Sequence, residues 1–209
     1  MKQHSEIFEK NYMGYCAQIA SLDFSSLKKK LGIKQDGNEM MIPFFNNNYF
    51  ISKEGIVDES GTRPDYMVCV ILSKYLLLCP ESSHDDSEWV SFKDFKKTSH
   101  FLNLNYFISD TEKPIVQNFS GRLDALSTAC EKFGGVPNDI GISYDLVMRF
   151  DALPRISLLL LFNDKDEEFP AQCSVLFQKQ AEYYLDPESL AMTSAFLVKK
   201  LIRYKKDDE

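Results

Sequence analysis

The chain holds 209 residues, of which 44% are hydrophobic, 13% aromatic and 26% charged. That composition excludes a disordered or low-complexity chain, because enough apolar surface is available to offset the entropy of ordering the backbone. Thirty-one acidic against 24 basic side chains leave a formal charge of −7. An acidic balance argues against a general nucleic-acid binder, whose affinity rests on neutralising phosphates.

From His4 to Ala20, the apolar residues Phe8, Tyr12, Tyr15, Cys16 and Ile19 recur with helical period and predict an amphipathic helix. Asp23 stands where an N-cap belongs for a second helix, Phe24–Leu31, and Gly32 ends it. Met40–Phe45 and Tyr49–Ser52 read as a hairpin turned by Asn46-Asn47-Asn48, since asparagine tolerates left-handed backbone. Lys53-Glu54-Gly55 then turns the chain into a short strand, Ile56–Asp58. Thr62 and Pro64 open a nearly all-apolar helix, Tyr66–Cys79. At 14 residues it is too short to cross a bilayer and fits a buried core helix.

Pro80–Glu88 is a polar, acidic loop, and Trp89–Phe95 is a short aromatic segment. Thr98–Pro114 shows no period that assigns it. Phe119, Leu123, Leu126, Cys130 and Phe133 follow at spacings of 4, 3, 4 and 3 and predict one helix, which Gly134-Gly135 ends. Alternation at Ile142, Tyr144, Leu146, Met148 and Phe150 predicts a strand with one buried face and Arg149 on the other. Leu153-Pro154 turns into Ile156–Phe162, apolar throughout as a central strand requires. After the acidic turn Asn163–Glu168, a third strand alternates at Ala171, Cys173, Val175 and Phe177. Asp186-Pro187 opens a last helix to about Tyr204, leaving 205–209 as a frayed, charged tail.

Short turns between the late strands imply antiparallel pairing. The predicted fold class is therefore α+β. It is a single domain over 1–209, with a mixed, mainly antiparallel sheet packed with about five helices, and the early hairpin is placed to extend the late sheet. No secretory pattern opens the sequence and no membrane span is predicted. The five cysteines, Cys16, Cys69, Cys79, Cys130 and Cys173, include no C-x-x-C pair, which suits a reducing cytoplasm.

All five cysteines sit on predicted apolar faces and read as small buried hydrophobes, so no metal ligand set and no cofactor is predicted. An iron–sulfur cluster would need closely spaced thiolates. The acidic turn Asn163–Glu168 lacks the glycine and distant glutamate of a calcium loop and reads as a solvated hairpin tip. His84-Asp85-Asp86 with Glu88 reads as surface. No G-x-S-x-G, P-loop, G-x-G-x-x-G or H-E-x-x-H pattern occurs, and of the three histidines His100 is the best placed for proton transfer. Arg149 and Arg155 flank the Leu153-Pro154 turn, where a guanidinium can clamp a carboxylate or phosphate, and pairing with nearby acids such as Glu167 or Glu168 is the expectation in a chain this rich in carboxylates. On the last helix Met192 and Phe196 fall opposite the leucine stripe, ringed by Lys199, Lys200 and Arg203; they form a patch for a protein partner unless the Thr98–Pro114 segment or a loop near Lys97 covers them, which the docking of terminal helices favours.

Trp89-Val90-Ser91-Phe92, the helix ending in Gly134-Gly135, Leu153-Pro154-Arg155-Ile156, Asp166-Glu167-Glu168-Phe169-Pro170-Ala171, Leu176-Phe177, Tyr184-Leu185 and Glu188-Ser189-Leu190-Ala191 occur in an order that resembles a prokaryotic domain family of unknown function. That family is common in anaerobes and often carries an iron–sulfur cluster label. The resemblance runs from about Ile7 to Leu201 and is most specific from Leu153 to Leu190. The cysteine-rich module behind the label is missing from this sequence. The resemblance implies a cytoplasmic binding or accessory domain working beside anaerobic redox or one-carbon metalloproteins. It also singles out Arg155 and Glu167, with Trp89, as ligand-binding residues. An alternative is an enzyme for a small anionic substrate, with Arg155 recognising charge and Glu168 or His100 moving a proton. A second alternative is metal or iron–sulfur binding through the cysteines.

Overall fold

A computed structural model of the protein describes residues 2–95 and 104–206. Helix α1 (Lys2–Ala20) leads to α2 (Phe24–Leu31). The Asp23 carboxylate accepts the Ser25 amide at 3.1 Å, and Gly32 closes α2 in the left-handed conformation at φ 69°. Four short strands follow as an antiparallel meander: β1 (Lys34–Asp36), β2 (Glu39–Phe44), β3 (Asn47–Ile51) and β4 (Ile56–Asp58).

The β2–β3 turn departs from the sequence reading. Asn47 and Asn48 belong to β3, and the turn is made by Phe45 and Asn46, with Phe45 in positive-φ backbone at 50°. Phenylalanine is strained there. Its ring compensates by packing 4.9 Å from Phe133 and 5.7 Å from Phe196, and its amide donates to the Ala152 carbonyl at 2.8 Å. That hydrogen bond ties the early sheet to the late one. The early strands form a sheet of their own and do not extend the late one.

Helix α3 (Tyr66–Leu77) is buried on most sides, as its composition requires, and stops before Cys79. Strand β5 (Trp89–Ser91) runs into a single 3-10 turn. The segment without a readable period is helical from Leu104: α4 (Leu104–Phe107) passes through a π-helical stretch, Ile108–Glu112, into α5 (Lys113–Phe119). A π stretch breaks the 3.6-residue repeat, which is why periodicity fails here. Helix α6 (Leu123–Lys132) is separate from α5, not one helix with it. Gly121 divides them at φ 74°, and its amide donates to the Asp164 carboxylate at 2.6 Å.

The second sheet is antiparallel in the order β5, β9, β8, β7, β6, with β6 (Val136–Pro137), β7 (Leu146–Leu153), β8 (Ile156–Asn163) and β9 (Gln172–Gln178). Met148 and Phe150 of β7 face the core and Arg149 faces out, as the alternation predicts. Ile142 lies before β7 and is 64% exposed, because the strand begins only at Leu146. Helix α7 (Pro187–Lys206) crosses the core and includes Lys205 and Lys206 of the predicted tail; 207–209 lie outside the described residues. Leu190, Leu197 and Leu201 are fully buried along it. The whole is an α+β fold built on two antiparallel sheets.

Candidate functional site: a groove beside the last helix

Arg155 does not meet Glu168. Arg155 lies in the β7–β8 turn and Glu168 in the β8–β9 turn, at opposite ends of β8 and roughly 23 Å apart at about 3.3 Å per strand residue. The Arg155 guanidinium donates from Nε to the Lys30 carbonyl at 3.2 Å and from Nη2 to the Lys29 carbonyl at 3.4 Å. It caps the C-terminal end of α2. Glu167 and Glu168 are exposed at the hairpin tip, where the Asp166 carboxylate accepts the Glu168 and Phe169 amides. Trp89 pairs with Gln178 in the sheet, at the far end of β9 from that tip. His100 lies outside the described residues. Arg155 and Glu168 therefore do not converge on one site.

The acidic loop around His84 is docked, not merely solvated. The Tyr184 hydroxyl donates to the His84 carbonyl and accepts the His84 amide, and the Lys179 ammonium meets Glu88 at 2.7 Å and Asp86 at 3.4 Å. The Arg149 guanidinium pairs with Asp151 at 3.1 Å, not with the hairpin acids.

The thiols do not gather at one point: Cys16 neighbours Cys69 where α1 packs on α3, and Cys130 neighbours Cys173. Cys16 and Cys69 come from α1 and α3, Cys130 from α6 and Cys173 from β9. Burial pushes the Cys69 thiol up to about 11, and burial also raises the Cys130 and Cys173 thiols. Among the described residues, no three His, Cys, Asp or Glu side chains gather to hold a metal ion.

Phe196 corrects the predicted partner patch. It is only 5% exposed, with its ring 5.0 Å from Phe44 and 6.3 Å from Phe133, so it belongs to the core and cannot meet a partner. The early sheet covers it, which no local pattern on α7 could foretell. Met192 is half-buried against the same core. The Lys200 ammonium lies over the Phe196 ring at 5.1 Å, and burial, with Arg203 nearby, lowers its pKa.

Lys199 and Arg203 keep the exposure the sequence gives them. They stand on the rim of a groove of about 560 Å³ between α7 and the π stretch. Pro114, Ala195, Val198 and Ile202 give it an apolar floor. Ser109 and Asp110 form the opposite wall. Lys199 reaches Asp65 at 3.7 Å, an exposed and weak pair, and Arg203 makes no ion pair among the described residues. The wall is held from behind by a buried hydroxyl pair, Thr111 with Ser194 at 3.2 Å. The sequence reading found the two cations but missed the wall; Pro114, beside an unreadable stretch, was the single local signal.

No helix of the described residues is long and apolar enough to cross a membrane. No curated protein and no solved structure matches the chain. A family model does match, from residue 23, the N-cap of α2, to residue 200 on α7; it leaves out α1, which lies inside the expected span from Ile7. The groove residues from Ser109 to Lys199 fall within that match, Ile202 and Arg203 lie just past its end, and the chain belongs to the family described as a domain of unknown function, DUF3786.

Proposed function

We propose that this domain is a binding and accessory module, and that the groove beside α7 takes an acidic, partly aliphatic segment of a protein partner. The observation that carries the reading is the pairing of an apolar floor with a cationic rim, Lys199 and Arg203, on a chain of net charge −7. Apolar contact supplies affinity and the two cations supply orientation and selection against basic partners. The domain works in the cytoplasm beside anaerobic redox or one-carbon metalloproteins, a setting that rests on the family resemblance alone. It holds no cluster or metal of its own. Support for this comes from thiols whose burial disfavours the thiolate that ligation needs.

The test is affinity capture from the native cells, with wild-type protein and the double variant Lys199→Glu/Arg203→Glu in parallel. The reading expects one partner recovered near stoichiometry by the wild type and lost with the variant, while the melting temperature is unchanged. Recovery of no specific partner by either form would remove the reading.

A further inference from the structure

The π stretch has a second side. Its other face looks onto β9, where a groove of about 530 Å³ lies between Ile108, Glu112, Lys113 and Val116 and the strand residues Gln172, Cys173 and Ser174. The sheet is incomplete at this place. Strand β8 pairs with β9 along Gln172–Phe177, but on its other side β9 is paired by β5 only at Leu176, Phe177 and Gln178. The N-terminal half of β9 therefore has an edge with no strand partner among the described residues.

The direction of the free groups follows from the pairing. The Val175 amide points away from β8, because it donates to the Glu112 carboxylate Oε1 at 3.2 Å. Alternation along the strand then sends the Cys173 amide and carbonyl to the same outer side, into the groove. Glu112 thus sits where the carbonyl of an added strand would lie. Burial raises the pKa of its carboxyl, so it is a poorly solvated stand-in for that carbonyl. Lys113 is exposed on the groove rim and makes no ion pair among the described residues, while Ile108 and Val116 offer an apolar wall.

We infer that the β9 edge from Gln172 to Val175 is a strand-addition site, which takes an extended peptide segment carrying an aliphatic side chain against Ile108 and Val116 and a carboxylate toward Lys113. Main-chain pairing supplies the affinity and the two side-chain contacts supply the selection. The occupant is a protein segment in extended form, distinct in place from the one proposed for the α7 groove, so either site can fail without the other.

The probe is the synthetic peptide acetyl-Glu-Val-Thr-Val-Glu-amide, titrated into the full-length protein and followed by amide NMR shifts. Shifts concentrated at Cys173, Ser174 and Val175 are expected. Strand pairing uses alternate amides, so N-methylating either the valines or the other three residues should abolish binding for one set and spare it for the other. Lys113→Glu should weaken the peptide and Glu112→Ala, by freeing the Val175 amide, should tighten it about fivefold, the worth of roughly one net hydrogen bond. Equal binding by both methylated peptides, shifts elsewhere, or no binding at millimolar peptide would each overturn the inference. Dilution-dependent shifts at the same amides without peptide would assign the edge to a second copy of the chain and overturn it equally.

Discussion

Arg155 binds the end of a helix: its guanidinium Nε donates to the carbonyl of Lys30, 125 positions away in sequence, at 3.2 Å. A second donor reaches Lys29, and the Arg155 carbonyl in turn accepts the Gln180 side-chain amide at 3.0 Å. One residue thereby ties α2, the β7–β8 turn and the segment after β9. Replacing Arg155 by alanine leaves the last α2 carbonyls without their cation and should cost about 1–2 kcal/mol. Urea unfolding checks this. Lysine, which lacks the planar fork, should recover less than half of the loss.

Phe196 sits in the aromatic cluster that joins both sheets to α7. Truncation to alanine opens a cavity lined by Phe44, Phe45 and Phe133, and should cost about 3–5 kcal/mol. A residue on a partner-facing patch would cost well under 1 kcal/mol, so a small loss in thermal or denaturant unfolding would return Phe196 to the surface.

Burial raises the Asp186 carboxyl, but the Ser189 amide and hydroxyl and the Lys74 ammonium outweigh it and hold the carboxyl below its ordinary value. The Ser189 amide donates to it at 2.8 Å and Lys74 lies at 3.1 Å. A carboxyl depressed in the folded state stabilises fully above its unfolded value of about 3.9, and that stability is lost as pH falls through the lower folded value. Asp186→Ala should therefore cost about 1–2 kcal/mol near neutrality, and wild type and variant should converge at strongly acid pH. A gap that stays constant from neutral to acid would show that the carboxylate charge plays no part.

The thiols are hidden to different depths. Cys130 is fully buried, and Cys79 is half-buried with its Sγ 3.6 Å from the Pro80 carbonyl. A thiol reagent applied to native protein at mildly alkaline pH should label Cys79 first and leave Cys130 unmodified until denaturant is added, when all five react. Fast native labelling of Cys130 would contradict its place in the core.

Where local chemistry decides, the sequence was readable. Asp23 and Gly32 bound α2 as a cap pair should, and the alternation through Met148 and Phe150 marks the buried face of β7. Misreadings occur where a distant contact decides. A 4-3-4-3 spacing ran through Phe119 and Leu123 as one helix, yet Gly121 turns between them because Asp164, 43 positions on, holds its amide. Asn47 and Asn48 had turn chemistry, but Phe45 took the left-handed position because its ring is anchored on Phe133 and Phe196. The groove beside α7 was half legible. Lys199 and Arg203 show as exposed cations on a helical wheel, whereas Ser109 and Asp110 reach them only through a π stretch that erases periodicity. Phe196 is covered, as a docked last helix favours, but the cover is β2, and nothing on α7 reveals which element lies over it.

The claim that matters most is that the α7 groove is where a partner binds. A photoreactive benzoylphenylalanine in place of Ser109, exposed on the groove wall, reports this directly when irradiated in the native cells. One dominant crosslinked partner, whose crosslinked peptide is acidic and which disappears in the Lys199→Glu/Arg203→Glu background, is the predicted result. No dominant adduct, or one that persists unchanged after the charge reversal, would contradict it.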